Sequence, residues 1–139
     1  MPLLQRHAMS GTAVVKSLLS ANAALIAQVP AARIFVGDVP LNTTLPAISV
    51  KMISGVQRNT VAMTETKSVN ERIQVTLLTK TATQGPIWPL IRTALPNSRG
   101  TISTFDVDSI LPDTAGPDMF DQIAIIYQQS QDFMVRFAR

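Results

Sequence analysis

A chain of 139 residues that is 46% apolar, 15% charged and formally +3 at neutral pH fits one domain, burying roughly two thirds of the surface its extended form exposes. Composition this apolar excludes intrinsic disorder, and no run approaches the roughly 18 unbroken apolar residues of a membrane span. With no cysteine, disulfides, thiolate metal sites and a cysteine nucleophile are excluded as well.

Residues 1–7 lack the basic segment, apolar core and small-residue cleavage site of a signal peptide, so the expectation is a soluble protein of the cytoplasm with a poorly ordered start over 1–11. From Thr12 the residues Val14, Val15, Leu18, Leu19, Leu25 and Ile26 recur at helical spacing, which predicts an amphipathic helix to about Val29 that Pro30 ends. Asn22 interrupts it and is placed to cap a second short piece.

Residues 33–36 are β-branched or aromatic and read as a short strand, punctuated by Gly37-Asp38-Val39-Pro40. In residues 46–53, Ile48, Val50 and Met52 alternate with Ala47, Ser49 and Lys51, a strand with one face buried. Residues 54–68 are polar and predict a long hairpin loop, either a mobile tip or an arm ordered by a partner. Residues 69–80 then alternate most cleanly, with Ile73, Val75, Leu77 and Thr79 facing one way and Arg72, Gln74 and Thr76 the other.

Ile87, Leu90, Ile91, Ala94 and Leu95 predict a second amphipathic helix over 86–95, with Trp88 at the edge of the core or serving as an interface anchor. Residues 102–111 resume strand character, and 112–118 read as a turn by composition. From 123 to 137 the apolar residues are all odd-numbered, which predicts one long strand or two collinear ones. At about 3.3 Å per residue that run spans roughly 50 Å, against roughly 35–40 Å for a domain of this length. Such a strand would project and need covering by a neighbouring subunit, with Gln129, Gln131, Phe133, Val135 and Phe137 as its contact face. The expected fold is α+β, a four- to five-stranded, mainly antiparallel sheet with two amphipathic helices on one face.

Chemistry-bearing residues are sparse. His7 is the only histidine, and the serines have no base beside them in the pattern. Asp106, Asp108, Asp113, Asp118 and Asp121 cluster, but their spacing matches no calcium loop, and Pro112 and Pro117 suit an ordinary turn. Lys and Arg are scattered, without the basic run and interleaved aromatics of a nucleic-acid binder. The expectation is a non-enzyme with no catalytic, cofactor or metal site.

The order of elements resembles a known family. A helix, then Arg33-Ile34-Phe35-Val36 with Val39-Pro40 after it, then Leu45-Pro46-Ala47-Ile48-Ser49-Val50, is similar to the opening of the tail-completion, or tail-terminator, proteins of long-tailed bacteriophages. Glu71-Arg72-Ile73-Gln74-Val75 stands where that family has its central strand. Ile91-Arg92-Thr93-Ala94-Leu95 closes the following helix, and Ser130-Gln131-Asp132-Phe133 lies in the closing strand. The likeness covers residues 14–137, and Leu77-Leu78 departs from it where an aromatic is expected.

The resemblance implies a virion protein that assembles as a homo-oligomer, a hexameric ring, on the head-proximal end of the tail tube. There it ends polymerisation and offers the surface that joins the head. Its implied partners are the tail tube protein and the head-neck connector proteins, with DNA passing through the ring without sequence-specific binding. Gln57, Arg58, Asn59, Thr64, Glu65 and Lys67 of the long loop are then candidates for contact with tube or neck. From another class, an α+β adaptor that binds a protein partner as a monomer or dimer fits the same composition.

Overall fold

The odd-phased residues of the last segment lie at the centre of the protein. In the computed structural model, which describes residues 3–40, 42–58, 68–80, 87–95, 100–102, 105–116 and 118–138, strand β7 (Ile126–Ala138) pairs antiparallel with β3 (Ser68–Thr79) on one side and β5 (Phe105–Ala115) on the other. Outside β3 come β2 (Ala47–Arg58), antiparallel to it, and β1 (Ile34–Val36), parallel to β2; outside β5 comes β4 (Gly100–Ile102). Strand β6 (Met119–Asp121) pairs with the first residues of β7. The order is β1-β2-β3-β7-β5-β4, with β6 off the main path.

The register explains the alternation. Ile48, Ile73 and Val75 of β2 and β3, Phe133, Val135 and Phe137 of β7, and Val107 and Ile110 of β5 belong to one buried cluster. Helices α1 (Leu3–Ala21), α2 (Ala23–Gln28) and α3 (Ile87–Ala94) cover that face, adding Val14, Val15, Leu19, Leu25 and Ile91 to the cluster, with Leu95 just past the end of α3. Asn22 separates the first two helices, its Oδ1 accepting the Leu25 N–H at 2.9 Å, a cap that a helix interior could not use. Trp88 is buried, and Arg92 lies over its ring, 5.6 Å from the centroid. Pro89 falls in the first turn of α3, where its missing N–H breaks no helical bond.

The class is α+β as expected, but the described residues hold seven strands and three α-helices. Strand β1 is the short strand expected at 33–36, and the extra strands β4 and β6 are each three residues long, too short for a period of two to stand out. Helix α1 begins at Leu3, ahead of Thr12. Strands β2 and β3 pair out to Arg58↔Ser68, so the connection is residues 59–67 and not 54–68. Strand β5 continues through Pro112 to Ala115, with a register shift at Pro112 where the ladder can spare an N–H.

The largest difference is at residues 122–125, which form a turn. The Asp121 carboxylate accepts the N–H groups of Ile123 and Ala124 at 2.9 and 3.1 Å, and Ile125 takes φ 55°. A β6–β7 hairpin therefore replaces the start of the expected long strand.

Candidate assembly surface

Among the described residues, the helix-covered face carries one ionisable side chain that is fully inside. Glu71 continues the inward phase of Ile73 and Val75, pairs with Val135 of β7, and is 2% exposed. Its Oε1 accepts the Gly11 N–H of α1 at 2.9 Å. Burial raises its carboxyl to about 7, and the Gly11 N–H opposes part of that rise. Glycine at 11 is what lets the helix come this close: a Cβ there would overlap Glu71 Oε1 and lie 2.9 Å from Ile73 Cδ1. The carboxyl thus fastens α1 to β3, a structural task.

The opposite face of the sheet is polar and open. Arg72 reaches Asp113 at 2.9 Å and Asp132 at 3.8 Å, tying β3 to β5 and β7, and Arg136 donates from Nε to Asn70 at 3.1 Å. The Asp132 carboxyl is raised by burial, against the pull of Arg72. A groove of about 350 Å³ lies between Asp38, Ser49, Lys51, Gln74, Thr76 and Gln128, and Lys51 pairs with Asp38 beside it. Among the described residues no group of three or more His, Asp or Glu could hold a metal ion. No helix among them is long and apolar enough to cross a membrane.

Exposed apolar side chains gather at two places. One is the β6–β7 hairpin: Met119, Phe120, Ile123 and Ile125 are 59, 46, 96 and 60% exposed. Phe120 stacks on Tyr127 at 4.4 Å, and a groove of about 480 Å³ runs beside Met119 and Gln128. The other is the distal part of β2, where Ile53 and Val56 are 50 and 60% exposed. Strand β1 covers only Ile48, Ser49 and Val50 of β2, so residues 52–58 have no strand on their outer side among the described residues. Likewise β4 covers β5 only at Phe105, Asp106 and Val107. Unpaired edges bearing apolar side chains are surfaces that soluble proteins normally cover.

The profile of the family described as Tail completion protein gp17 matches residues 13–136. The chain belongs to that family. A solved structure with the same fold comes from the "Virion of native gene transfer agent (GTA) particle", with a TM-score of 0.65 and 16% identity over 91% of this chain and 93% of that one. A comparison with curated protein sequences gives no match.

In this tail-completion fold the expected contact residues are distributed unevenly. Gln57 and Arg58 end β2, while Asn59, Thr64, Glu65 and Lys67 lie outside the described residues. On β7, Phe133, Val135 and Phe137 are within the chain's own core and Gln131 is 8% exposed, its Oε1 accepting from Arg92 Nε at 3.0 Å. Gln129 is half-buried and donates from Nε2 to Asp118 Oδ1 at 2.5 Å. The β7 face thus has an internal cover, β3 and β5 at its sides and the helices above, which the projecting-strand expectation lacked.

Sequence reasoning passed over the hairpin tip, because Ile123 and Ile125 share the odd phase of the buried residues beyond them. Asp121, a residue whose carboxylate caps turns, was the available signal.

Proposed function

We propose that this protein is a structural component of a phage-like tail, located in the virion at the head-proximal end of the tail tube. It assembles there as a ring, hexameric as the family resemblance implies, that ends tube growth and offers the joining surface for the head. The family match over residues 13–136 carries the reading. The gene-transfer-agent virion that supplied a structure of the same fold is consistent with it, as are sheet edges without a strand partner among the described residues of one copy.

In this reading the protein meets the tail tube protein and the neck proteins. The end of β2, with Gln57 and Arg58, and the β2–β3 connection, with Asn59, Thr64, Glu65 and Lys67, contact tube or neck, and DNA passes through the ring without sequence reading. Subunit contacts are assigned to uncovered surface and not to Phe133, Val135 and Phe137, since a side chain already packed in its own core has no area to give a neighbour.

The test is to delete residues 59–67 and to inspect tails by electron microscopy. The shortened protein should fold and associate yet fail to cap tubes, leaving overlong tails without heads. Tails of normal length joined to heads would refute the assignment of that connection. Tails unchanged by loss of the whole protein would refute the function.

A further inference from the structure

Charge is divided along this chain. Ten of the twelve Lys and Arg precede residue 100 and six of the nine Asp and Glu follow it, formal charges of +7 and −4 that make up the +3 of the whole. On the sheet, β1, β2 and β3 lie on one side of β7 while β5 and β6 lie on the other. Lys51 and Arg58 lie on β2. Asp106, Asp108 and Asp113 lie on β5, and Asp118 and Asp121 at β6.

Both flanks are open-edged, and both expose apolar side chains. We propose that the acidic, apolar β6–β7 hairpin of one copy docks on the open outer edge of β2, residues 52–58, of the next copy, in a head-to-tail contact. This rests on the assembly reading above and names the surfaces that would carry it.

Three observations select a second copy as the occupant. First, the hairpin segment 118–128 carries Asp118 and Asp121 and no Lys or Arg, while residues 51–58 of β2 carry Lys51 and Arg58 and no carboxylate, so hairpin-to-hairpin or edge-to-edge pairing would set like charges together. Second, Ile53 and Val56 offer β2 an apolar strip of the kind that Met119, Phe120, Ile123 and Ile125 need. Those four hairpin side chains expose roughly 500 Å², the size of the largest patches on monomers and more than half of the roughly 800 Å² per partner in a standard interface. Third, each flank presents a backbone edge without a strand partner among the described residues, so one contact caps two edges. Repetition of such a heterologous contact gives a closed ring when the rotation closes.

The absence of cysteine makes cross-linking the direct test. A Val56→Cys/Ile123→Cys double variant, concentrated and treated with a short bismaleimide, should give a ladder of covalent oligomers. Val56→Cys mixed with Ile123→Cys should stop at cross-linked dimers, and either single variant alone should stay uncoupled. Ile123→Asp and Val56→Asp should each weaken association roughly 10–100-fold by sedimentation, the loss of one buried aliphatic side chain, with the thermal midpoint retained. Mixed together they should form heterodimers that grow no further.

Dimers from Ile123→Cys alone, or no coupling between positions 56 and 123 in any preparation, would overturn the proposal. Rings that persist in both aspartate variants would overturn this contact while leaving tail capping intact. A ladder in a protein whose loss does not alter tails would do the reverse.

Discussion

Replacing Glu71 with glutamine should change how stability depends on pH. A carboxyl held at about 7 in the folded chain against an ordinary 4.5 binds protons more tightly folded than unfolded. Its favourable effect is therefore complete below about pH 4.5 and is lost as pH rises through about 7. The full difference corresponds to about 3 kcal/mol, of which about 2–3 kcal/mol falls between pH 5 and 8. Asp132, also raised by burial, adds in the same direction. Glutamine keeps an oxygen to accept the Gly11 N–H and has no charge to bury. Glu71→Gln should match the native chain near pH 5 and exceed it by about 2–3 kcal/mol at pH 8, on the order of 10 °C in thermal midpoint. Urea titrations at pH 5, 6, 7 and 8 measure this directly. A variant no more stable than the native chain at pH 8 would show that the Gly11 N–H outweighs desolvation and that Glu71 is stably ionised inside.

Gly11→Ala should destabilise by about 1–2 kcal/mol despite alanine's better helix propensity, because its Cβ meets Glu71 and Ile73; denaturant midpoints report it. Asn22→Ala removes the acceptor for Leu25 N–H and should cost about 1 kcal/mol in the same assay. Phe133→Ala, at a fully buried site between β3 and β5, should cost about 3–5 kcal/mol. Ile125→Gly relieves a β-branched residue at φ 55° and should stabilise the monomer by about 1 kcal/mol.

The core was legible where a strand or helix is long enough to show its period. The alternation of Ile73, Val75 and Leu77 and the spacing of Ile87, Ile91 and Leu95 place those residues in the core, because one-sided burial writes itself into every second or every third and fourth residue. The three-residue strands β4 and β6 leave no such trace. Residues 123–137 misled for a subtler reason. Ile123 is in phase with Phe133 yet nearly fully exposed, since the turn is held by a side chain, Asp121, and by a left-handed isoleucine in place of glycine or proline. Glu71 was readable by extending the phase of β3 inward by one step, but the raised carboxyl depends on α1 passing overhead, a contact between residues sixty positions apart.

Strand β7 is the last of the seven in chain order, and it is the one that joins β3 to β5. Until it is made, the earlier strands belong to two groups, β1-β2-β3 and β4-β5, with no strand pairing between them among the described residues. The fold is therefore committed late: loop closure between distant segments precedes most of the stabilising contacts. Nascent chains stopped short of residue 126 should be captured by holdase chaperones, whereas chains carrying β7 should escape them. A peptide of residues 119–138 supplied in trans should close the gap between the halves. Placing the keystone after the strands it joins delays the folded state until all of them have been synthesised.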